Sequence, residues 1–241
     1  MKDTKSAAVN YQKIILNLRE IYKRGFIKTH RANDTGIGKT LEDLLGIEEN
    51  NLKLPDIGDV ELKTKRIDSE SMLTLATKSP LPRGVNKVLF EKYKYRDKEG
   101  HYNLHSTVYG SKFNPQGFKV TLKNDKLILS NRENIEAYWA ISIFDDVLKS
   151  KSDKIILVFA DVHGEKKTAE EFFHYNEAYL LSGLSREKFK HAIAGDQLKI
   201  DIRIGVYRSG SRKGRYHDHG TAFRINKRDF LKLFQNYEKI M

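Results

Sequence analysis

The apolar run IILVFA, residues 155–160, constrains the fold more than any other stretch: six such residues in succession read as a buried strand that other elements must cover. Helical patterns supply the cover. Val9, Ile14, Ile15, Leu18, Ile21 and Tyr22 recur at near-helical spacing and Gly25 offers a stop, which predicts an amphipathic helix over 8–24. A second helix is expected to begin near Thr35 and to turn Leu41, Leu44 and Leu45 inward. Extended segments follow at 59–66, 72–77 and 103–109, then a hairpin over 117–130 turning at Asn124 and Asp125. The pattern next predicts a helical stretch over 135–149, a helix opened by Ser185 (REKFKHAIAG) and an alternating strand, LKIDIRIGVY, over 198–207. The basic segment RSGSRKGRYHDHG, 208–220, reads as a loop, followed by a strand TAFRI and a last helix after Asn226. With 241 residues, and neither internal repeats nor low-complexity linkers, one compact unit is expected.

Lys and Arg number 44 against 32 Asp and Glu, a formal net charge of +12. That balance favours polyanionic partners, nucleic acid before an acidic membrane surface. No apolar run approaches the roughly 20 residues that span a bilayer, and MKDTKSAAVNYQK lacks the apolar core of a secretory signal, so a soluble intracellular protein is expected. The chain has no cysteine. Any metal must therefore be held by carboxylates, carbonyls, water or histidine, the ligands of hard ions such as magnesium.

The stretch TGIGKTLEDLLG, 35–46, raises the question of a nucleotide site. A P-loop requires G-x-x-x-x-G-K-[ST] after a buried strand, so that consecutive amides wrap the phosphates. Gly38, Lys39 and Thr40 fit its end, but Asn33 occupies the first glycine position and KTHRAND makes a poor buried strand. Asp161, at the end of IILVFAD, would serve as the magnesium-holding carboxylate in that reading. The alternative is that Gly36 and Gly38 permit a close approach and cap a helix that carries Glu42 beside its apolar stripe.

The segment LPDIGDVELKTKR, 54–66, says more about chemistry. Alternation along a strand projects Glu61 and Lys63 from one face and Val60 and Leu62 from the other, with Asp56 before them at a Pro–Gly turn. Phosphodiester hydrolysis needs carboxylates to hold magnesium against the scissile phosphate and a cation to position or help deprotonate the attacking water. Asp56, Glu61 and Lys63 offer those parts, and the Leu62 carbonyl could add a metal ligand. Two readings compete with this one. Asp161, Glu165 and Lys167 repeat the pattern, although HGEKKT offers no strand to hold them, and Glu61 with Lys63 could equally form a cross-strand ion pair on a solvated face.

TGIGKTLEDLLG, EENN, PDIGDVELKTKR, LTLATKSPLPRG, DIRIGVYRSG and HDHGTAFRIN, in that order, resemble the MvaI/BcnI family of type II restriction endonucleases, itself related to the nicking protein MutH. The blocks span roughly residues 10–230, match most weakly over about 90–150, and read closer to the MvaI branch. The resemblance implies an α/β, MutH-like restriction-endonuclease fold: a central mixed sheet flanked by helices, and two lobes forming a DNA-binding cleft. It divides the chain into a mainly catalytic lobe over 1–145 and a mainly DNA-recognition lobe over 146–241. Asp56, Glu61 and Lys63 match the family's catalytic carboxylates and lysine, Glu42 its acidic residue on the early helix. Asp56, Glu61 and Leu62 would hold Mg2+, and the opening glycines become a DNA-facing helix start.

The family's base-recognition elements fall on Arg203, His217, Asp218, His219 and Arg224. Arginine can donate twice to guanine, aspartate can accept from cytosine N4, and histidine can do either. The sites so implied have the form CCNGG, with CC(A/T)GG expected from the MvaI branch. Lys39, Arg208, Arg212, Lys213 and Arg215 are expected along phosphates, and Lys65, Arg66, Lys78 and Arg83 would extend that track. The plainer alternatives are a solvated basic surface for these residues and for Arg203 and Arg224, and a metal site for His217 and His219, which lacks a third histidine nearby. The other histidines form no catalytic pairing, and Trp139 reads as core. The resemblance further implies a monomer acting on double-stranded DNA by successive nicks, away from membranes, in prokaryotic cytoplasm, with a cognate methyltransferase as genetic companion. A partner-dependent MutH-like nicking module, a non-catalytic DNA-binding module and a nucleotide hydrolase are the competing functions.

Overall fold

The computed structural model describes residues 3–47, 60–145 and 154–241, with side chains in the first helix from residue 12 onward. The chain forms two compact units instead of one. The first is assembled from 1–71, 147–185 and 234–241, the second from 72–146 and 186–233. The units interleave in sequence, and the first boundary between them lies after Ser71.

In the first unit, α1 (Asp3–Lys23) buries Ile14, Leu18 and Ile21, one per turn, and α2 (Gly36–Leu45) buries Ile37 and Leu41. Gly46 ends α2 in the left-handed conformation (φ 71°), and the Ile47 amide donates to the Glu42 carbonyl at 2.9 Å. The sheet runs β1 (Ile27–Lys28), β10 (Glu171–Leu184), β9 (Lys154–Gly164), β2 (Val60–Arg66), and β14 (Phe234–Lys239) also pairs with β10. It is mixed: β2 lies parallel to β9 and the other pairs are antiparallel. IILVFA is buried throughout within β9, as its composition requires. Its Ile156, Val158 and Ala160 join Val60, Phe173 and Tyr175 under the two helices.

The second unit holds two antiparallel sheets. One runs β3 (Leu73–Thr77), β13 (Ala222–Ile225), β11 (Leu198–Val206), β5 (Tyr102–Val108), β4 (Tyr95–Arg96), with β12 (Tyr216–Asp218) also paired to β11. The other is a meander of β6 (Phe118–Lys123), β7 (Lys126–Asn131) and β8 (Asn134–Ala140). Asn124 and Asp125, both at positive φ (50° and 52°), make the expected two-residue hairpin turn. Helices α3 (Val85–Tyr93) and α4 (Arg186–Ala194) complete the unit with the short α5 (Lys227–Phe230). Trp139, Phe144, Phe189 and Phe223 pack together in its core, and the Trp139 indole donates to the Lys78 carbonyl at 2.9 Å.

Two expectations need correction. Residues 135–149 do not begin as a helix: 134–140 form β8, and a 3-10 turn, Ile141–Phe144, follows. The register Leu127↔Trp139 and Leu129↔Ala137 buries every second side chain, so pairing with β7 overrides the local helical pattern. The expected loop over 208–220 is also interrupted, because Tyr216–Asp218 form β12 against β11; the helix expected after Asn226 is α5, and β14 takes up the chain end against β10.

Candidate active site

β2 carries Glu61 and Lys63, the carboxylate and amine singled out in the sequence. Among the described strands it pairs with β9 alone, so it forms one edge of the sheet. Val60 is buried and Leu62 packs beside it under the helices, while Glu61 and Lys63 share the opposite face. Lys63 Nζ lies 3.4 Å from Glu61 Oε1, with only 19% and 13% of the two side chains exposed. This is a half-enclosed carboxylate–amine pair, not two charges on an open face. The ladder also orients the backbone. The Ile67 amide donates to the Ala160 carbonyl at 3.0 Å, which assigns the odd-numbered residues of β2 to β9 and turns the Leu62 carbonyl toward the outer edge. Asp56 lies outside the described residues.

α2 supplies Glu42 and packs on β2 from the other side. An added Cβ at Gly38 would stand 3.4 Å from Thr64 Oγ1 of β2, and Glu42 Oε1 lies one turn along at 3.8 Å from the same point. Gly36 has no room at all: its Cβ would meet the Arg31 carbonyl oxygen at 2.2 Å. These glycines therefore serve close packing. The nucleotide reading fails on two observations. Among the described residues no buried strand precedes α2, and the Thr40 hydroxyl accepts from the His30 amide at 2.9 Å; Lys39 pairs with Asp43 at 2.7 Å. The Lys39 and His30 hydrogen bonds hold the Asp43 carboxyl below the usual carboxylate range.

The competing triplet does not converge. Asp161 stands on β9 and accepts from Asn176 at 2.5 Å, while Lys167 reaches Asp34 at 3.0 Å on an exposed surface. The extended phosphate track is corrected as well. Lys65 is buried and donates to both oxygens of Ser71, and Arg66 is buried in a two-pronged pair with Glu171, so neither cation faces solvent.

The expected base-reading residues gather in the second unit. Arg203 on β11 donates to the Gly220 and His219 carbonyls at 3.2 and 3.1 Å. Arg224 on β13 donates to Asp201 at 2.9 Å and to the Met72 carbonyl at 3.0 Å. Asp218 accepts from Asn86 at 2.8 Å and from the Gly220 amide at 2.7 Å. The His217 ring lies between Tyr207 and His219, with centroids 4.1 and 4.0 Å away. A basin of about 420 Å³ opens among His105, Ser106, Thr107, Asp201, Ile202, Arg203, His219 and Arg224. Partial desolvation, then the Arg208 and Arg203 charges, lowers the His105 pKa; partial desolvation, then His217, His105 and Arg203, lowers that of His219.

Sequence reasoning missed Asp201 and His105. Asp201 accepts from Thr107 at 2.7 Å as well as from Arg224, and His105 lies directly across from Arg203. Period-two counting in DIRIG would have put Asp201 on the face of Arg203; nothing local marks His105, which reaches the basin through strand pairing. Arg212, Lys213 and Arg215 are exposed, whereas Arg208 binds Asp97 and Glu99 at 3.1 and 3.0 Å. Asp97, Glu99 and His101 bring donor atoms within 4.8 Å of one another, but the guanidinium of Arg208 already offsets this acidic group.

An edge-strand Glu-x-Lys pair on a mixed sheet, with the helix that carries Glu42 packed on the other face of that strand, points to a restriction-type nuclease. The model of the MvaI/BcnI restriction endonuclease family matches residues 15–234, and the chain belongs to that family. It is thereby a type II restriction endonuclease, a site-specific DNA nuclease. Two solved structures are similar to it at 34% identity. One, described as the restriction endonuclease MvaI–cognate DNA substrate complex, covers 94% of this chain and 96% of its own with a TM-score of 0.82. The other, MvaI in the absence of DNA, covers 96% and 98% with a TM-score of 0.57. Among curated protein sequences none matches.

Proposed function

We propose that the chain hydrolyses double-stranded DNA at a short pseudopalindromic CCNGG site, with CC(A/T)GG the expected form, in a magnesium-dependent reaction carried out by a monomer that nicks each strand in turn. The observation that carries this reading is the Glu61–Lys63 pair, 3.4 Å apart on an edge strand. The donor set suits a hard divalent cation: the Glu61 carboxylate and the outward Leu62 carbonyl are oxygen donors, and Asp56 adds a second carboxylate in sequence. Magnesium held there supplies positive charge against the charge developing on the scissile phosphate. Lys63 holds the attacking water through its ammonium hydrogens and eases loss of its proton. The water oxygen bonds to phosphorus, its proton passing to solvent, as one phosphate ester bond breaks and the leaving oxygen takes a proton from solvent. Glu42 contributes a further carboxylate from α2.

In the second unit, Arg203, His217, Asp218, His219 and Arg224 are the base readers. Asp218 accepts within the protein from Asn86, the Gly220 amide and the Tyr216 side chain, and its two oxygens together keep acceptor capacity for a cytosine amino group. Arg212, Lys213 and Arg215 follow phosphates, with Lys39 a further contact from the α2 end. No described helix is long and apolar enough to cross a membrane. The substrate places the enzyme in prokaryotic cytoplasm, and a chain that cuts so short a site needs a methyltransferase to mask that site in its own genome.

The test is to incubate purified protein with magnesium and a random-site duplex pool, then sequence the ends. Ends grouped at one CCNGG sequence on both strands, through a nicked intermediate, are expected. Lys63→Ala is expected to abolish cutting and retain specific binding. Binding without cutting by the wild-type chain would point to a non-catalytic module, and nicking that needs an added partner would point to a MutH-like one.

A further inference from the structure

We infer that Arg66, with Glu171, is a positioning residue for cleavage: it ties the entry of α2, and so Glu42, to the strand that carries Glu61 and Lys63. The inference rests on the nuclease reading above and adds to it a residue that touches neither substrate nor metal.

Arg66 ends β2, three residues beyond Lys63. Its Nε and Nη2 each donate to one oxygen of Glu171 at 2.7 Å, and the same guanidinium donates to the Asp34 carbonyl at 3.1 Å and the Asn33 carbonyl at 3.3 Å. Glu171 is wholly buried. It also accepts from the Lys167 amide at 3.1 Å, and its own carbonyl accepts from the Thr29 amide at 2.8 Å. The Asn33 amide in turn donates to the Lys167 carbonyl at 2.9 Å. One planar cation therefore joins the ends of three segments: β2, the start of β10, and the turn that leads into α2.

Besides Arg66, that turn is tied by the Asn33–Lys167 backbone hydrogen bond and by the Lys167–Asp34 ion pair, which lies on an exposed surface. Asn33 takes a positive φ of 77°, Thr35 caps α2 without a side-chain hydrogen bond, and Gly36 presses on the Arg31 carbonyl. A buried ion pair is weak evidence for stability, because apolar replacements of similar volume often serve as well. Its planar fork, in contrast, fixes direction: five donors in fixed geometry can satisfy a carboxylate and two carbonyls together, which an ammonium cannot. The fork sets where α2 starts relative to β2, and the Gly38–Thr64 contact sets how closely it lies, so the pair determines where Glu42 is delivered.

Two variants separate positioning from stability. Arg66→Lys keeps a cation beside Glu171 but cannot span all four acceptors. Arg66→Met combined with Glu171→Met removes both charges and leaves neither stranded. For each, thermal melting, affinity for a cognate duplex in magnesium-free buffer and the single-turnover cleavage rate constant are measured beside wild type. The expected result is cooperative melting and unchanged affinity, with cleavage slowed on the order of 100-fold in the double variant, the size of loss that a misplacement of about 1 Å produces. Amide exchange over residues 33–42 is expected to quicken in both variants. A folded double variant that cuts at the wild-type rate overturns the inference alone. Should the double variant not fold, Arg66→Lys decides by the same comparison. A wild-type chain that cuts no DNA overturns the nuclease reading and, with it, this one.

Discussion

Three basic residues within four positions of β2 have three different surroundings. Lys63 stands beside Glu61, Lys65 donates into Ser71 and Arg66 into Glu171. Alternation puts Lys63 and Lys65 on one face, but Ser71, just beyond the end of the strand, takes up Lys65 and leaves Lys63 beside Glu61. The histidines of the second unit lead to a prediction about pH. His105 and His219 have pKa values lowered from the ordinary value by partial desolvation first and then by neighbouring positive groups, so both are neutral at pH 7. Above about pH 6.5, the unperturbed histidine value, folded and unfolded chains are alike neutral at these positions. As the pH falls below it, the unfolded chain takes up protons that the folded basin resists, and stability is lost down to and through the lowered folded values. The melting temperature is expected to fall as the pH drops below about 6.5. His219→Gln should flatten part of that fall in melts across the range, and an unchanged slope would remove His219 as a cause.

At the scale of elements, α2 depends on glycine where the P-loop reading looked for phosphate. Gly36→Ala places a methyl group 2.2 Å from the Arg31 carbonyl oxygen, a contact that only backbone movement can relieve. A loss of about 1–3 kcal/mol in denaturant unfolding is expected, the usual range for overpacking. Cleavage should slow as well, because the displaced element carries Glu42; a variant as stable and as fast as wild type would show that the turn yields freely. Elements written in local sequence were legible: α1 from its apolar spacing, the β6–β7 hairpin from Asn124–Asp125, and the core strand β9 from IILVFA. β8, β10 and β14 were not. Burial in β8 alternates only against its partner, β14 exposes every residue after Phe234, and β10 draws on β1, β9 and β14, which are far apart in sequence. The strand holding Glu61 and Lys63 was legible because its chemistry and alternation coincide within a few residues; the Arg66–Glu171 pair spans 105 positions and carries no local mark.

At the scale of the whole molecule, the charge of +12 is unevenly available. Arg66 is neutralised by Glu171 within the first unit and Arg208 by Asp97 and Glu99 within the second, whereas Lys213 and Arg215 have no acidic partner among the described residues. Counterion release distinguishes these groups. Each cation that neutralises a DNA phosphate steepens the fall of log affinity with log salt by about 0.9. Lys213→Ala and Arg215→Ala are each expected to reduce that slope by roughly one unit and to weaken cognate and unrelated duplexes alike. Arg208→Ala is expected to change the slope by much less, because the cation it removes is already balanced by carboxylates and the loss exposes two acids near the surface. The measurement is affinity in magnesium-free buffer across a salt series for a cognate and a scrambled duplex. Equal slope changes for Arg208 and Lys213 would mean that Arg208 leaves its acids when DNA binds; no change for Lys213 or Arg215 would move the phosphate track off the 208–215 loop altogether.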